Sequence, residues 1–143
     1  MFGTATANYS KTTQASNLYT HVSVEGAAAG DRSGHELVSL LFNGLLGAIA
    51  KARGAIQQGD IEGKGRAIGS ALGIIGEGLR AGLNLREGGP LASDLNDLYG
   101  YIEMRLTQAN LRNDETALLE CTQLLKTLSE AWNQIGPQVR RAG

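Results

Sequence analysis

Large apolar residues recur at helical spacing from Ser33 to Ile135, and short breaks divide this stretch into four segments. Spacings of three and four residues place side chains on one face of a helix, so each segment predicts an amphipathic helix. The predicted helices cover residues 34–58, 61–84, 91–111 and 115–135. The breaks contain residues that stop or cap helices: Gly59-Asp60, Gly88-Gly89-Pro90 and Asn113-Asp114. Because short connections make neighbouring helices antiparallel, the pattern predicts an all-α fold, an antiparallel up-and-down four-helix bundle.

The first predicted helix begins at a capping box formed by Ser33 and Glu36. Its inward stripe is predicted to be Leu37, Leu41, Leu45, Ala48, Ala52 and Ile56. Leu40, Phe42 and Leu46 fall outside the centre of that stripe, so this helix carries more apolar surface than one core needs.

The second predicted helix has two apolar stripes. One contains Ile68, Leu72 and Ile75, and the other contains Ala67 and Ile74, with Ala71 between them. Between residues 63 and 78 the helix also holds six glycines, and each costs about 1 kcal/mol relative to alanine in a helix interior. Packing must therefore hold this helix, and we expect Gly65, Gly69, Gly73 and Gly76 to admit another helix at close range. The third and fourth helices have polar outer faces.

Three regions follow from these patterns. Residues 33–137 form the predicted bundle, residues 1–32 a flexible N-terminal segment, and residues 138–143 a C-terminal tail. The N-terminal segment is rich in Ala, Gly, Ser and Thr, and it buries too little to offset its ordering cost. Within it, Tyr19, Val22 and Val24 are predicted to form a clip that packs on the bundle and can leave it; a linker with incidental valines is the alternative.

Composition and motifs exclude several classes of function. The formal net charge of -1 argues against nucleic-acid binding. There is no signal peptide, and no apolar run approaches the length of a membrane span, so a cytosolic protein without membrane insertion is expected. No Glu-x-x-His pair or C-x-x-C-H motif suggests a metal or haem, and no cofactor or catalytic residue is predicted. The loose dinucleotide fingerprint at residues 76–81 has no preceding strand.

Two reactive side chains have ordinary interpretations. His35 lies in the first turn of the first helix, where a solvated polar residue is favoured over a phosphotransfer histidine. Cys121 lies on the inward stripe of the fourth helix, which favours a core thiol over a nucleophile. A phosphotransfer bundle acting through His35 stays open as an alternative function.

The surplus apolar surface predicts a binding protein. We expect a partner helix to lie in a groove on the first two helices, with a further contact on the third. The predicted groove residues are Phe42, Leu46, Ala67, Ala71, Ile74 and Tyr101. An irregular core or a weak homodimer contact is the alternative use of these side chains.

Several segments together resemble one known family, the flagellin-specific export chaperones of the FliS family. The resemblance covers about residues 16–137 and rests on motifs in the right order. These are YTHVSVE at 19–25, SGHELVSLLFNG at 33–44, ARGAIQQGD at 52–60, GLRAGL at 78–83, GGPLA at 88–92, LYGYIEMRLTQANLRND at 98–114 and AWNQI at 131–135. Ser33-Gly34 stands where the family usually has Ser-Pro, and Asn43 where it often has Asp.

The resemblance implies a helical bundle that is not an enzyme. It implies binding of the disordered C-terminal segment of flagellin in the bacterial cytosol, prevention of premature filament assembly, and delivery to a component of the flagellar type III export gate. It also implies that the N-terminal segment covers part of the apolar groove when the client is absent. By position, Tyr19 matches the tyrosine of that segment.

Overall fold

The computed structural model describes residues 18, 19 and 32–142, with side chains described for residues 18, 19 and 34–135. Four α-helices follow in order: α1 (Arg32–Gln58), α2 (Ile61–Gly73), α3 (Gly89–Arg112) and α4 (Glu115–Ala142). A π-helical segment, Ile74–Arg80, continues α2. Helix α1 packs against α2 and α4, and α3 packs against the same two helices, so the four surround one core. The predicted all-α four-helix bundle is confirmed.

The helix ends follow the capping residues in the sequence. The carboxylate of Asp60 accepts a hydrogen bond from Gly63 N at 2.9 Å, which makes it the N-cap of α2. Asn113 ends α3 in the left-handed conformation with φ 51°, and the next residue, Asp114, accepts a hydrogen bond from Ala117 N at 3.1 Å. Helix α4 instead runs past residue 135, at which we predicted it would end, and continues through Pro137. The φ of proline suits a helix, so the chain loses one hydrogen bond there and continues.

The predicted inward stripe of α1 is confirmed at Leu45, Ala48 and Ala52, which are buried, but the start of the helix was predicted wrongly. Ser33 lies inside the helix, so it is not the N-cap, and Leu37 is nearly half exposed. The buried stripe is Val38, Phe42, Leu45, Ile49 and Ala52. Their spacing alternates between four and three residues, as in coiled-coil packing. Because α1 is apolar around much of its circumference, its sequence is compatible with two rotations of the helix about its axis. Contacts with both α2 and α4 decide which face is turned to the core.

The second predicted helix does not stay α-helical to residue 84. Over Ile74–Arg80 the hydrogen bonds reach five residues back, and Ala81 N donates to Gly76 O at 3.0 Å. A Cβ placed on Gly78 would lie 3.0 Å from Leu41 Cδ2, so this glycine does permit close approach to α1. At Gly65, Gly69 and Gly73 a Cβ would meet nothing within 4 Å, and our prediction of close packing there is wrong.

A buried lysine ties α2 to the end of α3. Lys64 is 7% exposed, and its Nζ donates to Asn110 O at 2.7 Å and to Asn113 Oδ1. An ammonium group at a helix C-terminus satisfies carbonyl groups that have no partner within the helix and complements the helix dipole. Lys64 therefore acts as a C-cap supplied by a neighbouring helix.

Helix α1 is also long and apolar enough to meet a length-and-composition test for a membrane span, over Gly34–Gln58. That finding corrects our expectation that no segment approaches this length. A core helix of a soluble protein passes the same test, and here Val38, Leu45, Ile49 and Ala52 have no exposed surface.

Candidate functional site

Two residues of the N-terminal segment lie against the bundle. The carbonyl oxygen of Leu18 accepts a hydrogen bond from Asn84 N at 2.6 Å, and Tyr19 forms an isolated antiparallel β-bridge with Leu83. Both side chains are almost fully buried, at 3% and 2% exposure. The residues after the π-helical segment thus provide backbone contacts for both Leu18 and Tyr19. Val22 and Val24, the other predicted clip residues, lie outside the described residues.

The side chains of Leu18 and Tyr19 fill an apolar slot between the helices. Helix α1 contributes one wall, and α3 and α4 contribute the others. The lining residues are Phe42, Leu91, Leu95, Tyr99, Leu128, Ala131, Trp132 and Ile135, around a remaining cavity of about 130 Å³. We call this site, without its two occupants, the Tyr19 slot. It combines a large apolar surface with an occupant from a separate segment of the chain.

At the bottom of the slot two tyrosine hydroxyls meet. The Tyr19 and Tyr99 hydroxyl oxygens are 2.7 Å apart, and each group can donate to the other. Burial raises the pKa of Tyr99 to about 12 and raises the pKa of Tyr19 further, because a phenolate would lose its hydration there. Both hydroxyls are therefore neutral at physiological pH, and their mutual bond satisfies two buried polar groups.

Trp132 forms a side of the slot and is held by His35. The indole Nε1 donates to His35 O at 3.0 Å, and His35 Nε2 lies 2.9 Å from Trp132 O. The two rings stack with centroids 4.6 Å apart, and Tyr19 meets the indole edge-on at 5.8 Å. His35 is 6% exposed, so our expectation of a solvated histidine is wrong. Its role in this structure is to join the start of α1 to α4 and to fix the tryptophan ring.

The predicted groove residues do not share one surface. Phe42 is 3% exposed and lines the Tyr19 slot, although we placed it outside the core stripe. Leu46 and Ile74 are half-buried against the core. Ala71 is fully buried, so it cannot contact a partner in this conformation.

Tyr101 lies on the exposed side of α3. Its hydroxyl donates to the Glu120 carboxylate on α4 at 2.9 Å, and Arg105 Nε donates to the same carboxylate at 2.7 Å. The Arg105 hydrogen bond is the main reason that the pKa of Glu120 is lowered, and the Tyr101 bond adds to it. Tyr101 is thus separate from the slot, in a polar network that bridges two helices.

A second concave surface runs between α1 and α2. Its floor is made of small side chains, including Gly44, Gly47 and Ala67, and Lys51 and Arg66 stand among its lining residues. The groove has a volume of about 680 Å³ and is open to solvent. Ala67 is the one predicted groove residue that lines it.

Other chemistry has little support among the described residues. Within that part of the chain, no group of three or more His, Cys, Asp or Glu side chains could hold a metal ion. Cys121 is fully buried, and burial raises the pKa of its thiol to about 11, which keeps it protonated and unreactive. The core position predicted for Cys121 is therefore confirmed.

The sequence suggested the parts of the slot but not their assembly. Leu91, Leu95, Leu128 and Trp132 follow ordinary helical spacing, and nothing in that spacing distinguishes them from other core residues. They differ in that they line one cavity together with Leu18 and Tyr19.

Sequence comparisons with known proteins match one family. The model of the family described as flagellar protein FliS matches residues 13–139. The flagellar secretion chaperone FliS of Salmonella typhimurium is 46% identical over 120 residues, which cover 84% of this chain and 88% of that protein. FliSB of Pseudomonas aeruginosa is 43% identical over 122 residues, 85% of this chain and 95% of its own length. FliS of Bacillus subtilis is 33% identical over 99 residues, 69% and 72% of the two chains.

Proposed function

The chain belongs to the FliS family of flagellar secretion chaperones, and from that membership we propose that it binds the disordered C-terminal segment of flagellin. In this proposal it keeps flagellin unassembled in the bacterial cytosol and delivers it to a component of the flagellar type III export gate. The family is one of chaperones and not of enzymes, so the proposed activity is to bind and release a client without catalysing a reaction.

The single observation that carries the proposal is the occupied Tyr19 slot. Leu18 and Tyr19 bring their own apolar surface to a site whose walls belong to α1, α3 and α4. Their described backbone links to the bundle are the Leu18–Asn84 hydrogen bond and the Tyr19–Leu83 bridge. A client segment can offer the same kinds of contact, so the N-terminal segment acts as a stand-in that a client displaces.

The energetics require an apolar site of this kind. Ordering a disordered client costs about 1–2 kcal/mol per residue in backbone entropy. Exposed ion pairs contribute at most about 1 kcal/mol each, whereas a buried Leu or Phe side chain contributes roughly 1.5–3 kcal/mol. The Tyr19 slot provides several such contacts within a small area, so it is the natural anchor of the client.

We assign the predicted groove residues to separate parts of the client path. Phe42 becomes accessible when Leu18 and Tyr19 leave the slot. Ala67 lines the groove between α1 and α2, whose small side chains allow a client helix to approach closely. Leu46 and Ile74 are half-buried and support these surfaces, and Tyr101 lies on the α3–α4 face, where it is available to a different part of the client or to the export gate.

Isothermal titration of the full-length chain with the C-terminal peptide of the cognate flagellin tests the proposal. Leu91→Ser and Leu95→Ser remove apolar surface from the mouth of the slot, and each should weaken binding by about tenfold, because a lost Leu contact is worth more than about 1.4 kcal/mol. Leu111→Ser, at a side chain that is 79% exposed on the same helix, is the matched control and should bind normally. Absence of binding by the unaltered chain, or equal affinity in all variants, would refute the proposal.

The structure disfavours the phosphotransfer alternative. A phosphoryl group must reach a histidine nitrogen, but the His35 ring is buried and stacked on Trp132. Its Nε2 also lies within hydrogen-bonding distance of the Trp132 carbonyl oxygen. Incubation with a phosphodonor, followed by detection of phosphohistidine, should give no signal. A weak homodimer stays open because Leu37 and Leu40 are exposed on α1, and light scattering at several concentrations measures it directly.

A further inference from the structure

The Tyr19 slot contains one buried polar group that remains when its occupant leaves. Tyr99 belongs to α3, is fully buried, and has its hydroxyl at the bottom of the slot, bonded to Tyr19. Its described hydrogen-bond partner at that hydroxyl comes from the displaceable segment. Any molecule that replaces Tyr19 therefore determines whether the Tyr99 hydroxyl is satisfied or stranded.

We propose that Tyr99 is a specificity-determining residue, which makes the slot select a client dipeptide: a large aliphatic residue followed by a residue whose long side chain ends in a hydroxyl or an amide. This inference rests on the proposed function, because it assumes that the client enters the slot. The chemistry comes from Leu18 and Tyr19 themselves, which are the one occupant that the structure shows.

Two features of the slot set these requirements. Asn84 N–H at the rim needs an acceptor, which Leu18 supplies with its carbonyl oxygen at 2.6 Å, so the client backbone must place a carbonyl oxygen there. The next side chain must reach the Tyr99 hydroxyl, as Tyr19 does at 2.7 Å. An unpaired buried hydroxyl is costly, so a client with only apolar groups at this position is selected against.

The direction in which Tyr99→Phe changes the affinity for the client distinguishes a polar occupant from an apolar one. If a polar client group forms a hydrogen bond with Tyr99, then Tyr99→Phe leaves that group buried without a partner and weakens binding. If the client fills the slot with apolar atoms alone, Tyr99→Phe removes a stranded hydroxyl from the complex and leaves binding equal or tighter. Phenylalanine has nearly the volume of tyrosine, so the slot keeps its shape.

The experiment uses the full-length chain with Leu18→Ala and Tyr19→Ala, so that the stand-in no longer competes. The affinity for the C-terminal peptide of the cognate flagellin is measured by calorimetry with and without Tyr99→Phe. We expect this third substitution to weaken binding by about tenfold, since stranding a buried polar group has roughly that effect. Thr107→Val, which removes an exposed hydroxyl from the same helix, is the control and should leave the affinity unchanged.

Single replacements in the peptide then identify the client residue. Each hydroxyl- or amide-bearing residue is exchanged for an apolar one of similar size. At one position the exchange should weaken binding by about tenfold when Tyr99 is present and have little effect in the Tyr99→Phe variant. Unchanged or tighter binding by the Tyr99→Phe variant, or the absence of any such position, overturns the inference. A peptide that binds no variant at all instead refutes the proposed function.

Discussion

Replacement of Tyr19 by alanine tests whether the N-terminal segment is a removable occupant or a part of the core. The substitution deletes a ring that is 2% exposed, its edge-on contact with Trp132 and its bond to Tyr99. If the segment competes with the client, Tyr19→Ala should tighten binding of the flagellin peptide. The size of the gain follows from how firmly the segment is docked.

The docking free energy can be estimated from the contacts. Burial of a tyrosine ring removes about 150 Å² or more from water, worth roughly 4 kcal/mol, and Leu18 adds about 2 kcal/mol. Fixing the backbone of two residues costs about 3 kcal/mol, and holding their side chains costs about 1 kcal/mol more. The net is about 2 kcal/mol, so the slot is free in roughly one molecule in 30. Release of the segment should therefore tighten peptide binding by about 30-fold.

Two measurements on Tyr19→Ala distinguish the outcomes. Calorimetry should show the tighter binding, and urea unfolding should show a loss of stability of about 2 kcal/mol, the limit set by undocking. A core aromatic replaced by alanine typically loses about 3–5 kcal/mol instead. Weaker peptide binding would show that Tyr19 is part of the client site, and a loss in the larger range would show that it belongs to the core. Leu111→Ala on the exposed side of α3 should change neither quantity.

Three further expectations concern single side chains. The pKa of Tyr99 in the folded protein is raised from 10.0 to about 12. The stability that comes from its neutral form is therefore complete below pH 10 and is lost as the pH rises toward 12. Absorbance at tyrosinate wavelengths should show that Tyr19 and Tyr99 ionise late, together with the unfolding transition. Gly65→Ala should raise the free energy of unfolding by about 0.4–1 kcal/mol, whereas Gly78→Ala, whose Cβ would lie 3.0 Å from a leucine methyl, should gain less or lose stability. Lys64→Met should lower the free energy of unfolding by about 1–3 kcal/mol in urea titrations, because it leaves carbonyl groups at the end of α3 unpaired.

The sequence was sufficient for the fold because its signals are local. Asp60 caps α2 through an amide three residues away, and Asn113 ends α3 through its own backbone conformation. Such signals depend on neighbours in the chain, so a pattern of residue types reveals them. The antiparallel arrangement follows from the short connections that these caps create.

The orientation of α1 and the π-helical segment depend on contacts between helices, which the sequence does not encode locally. Leu41 and Phe42 are both large and apolar, and the contacts of α1 with both α2 and α4 decide which one is buried deeper. Likewise, the extra residue per turn in Ile74–Arg80 changes which side chains face inward, so a regular helical period cannot describe both α2 and its continuation.

The slot could be predicted only in part for the same reason. Tyr19 was identified as a clip residue because it stands out in a segment of small and polar residues. Its partner Tyr99 was not identified as such, because no spacing rule links two residues that are 80 positions apart. His35 was misjudged because its polarity suggested solvent, while its ring is in fact covered by an indole.

The pairing of Tyr19 with Trp132 has a practical consequence. The chain contains a single tryptophan, so all indole fluorescence reports from one wall of this slot. Exchange of a phenol ring for a client side chain, or for water, changes the polarity and the quenching around that one fluorophore. Emission wavelength and lifetime therefore follow occupancy in real time, without any label, from the resting molecule to the loaded one.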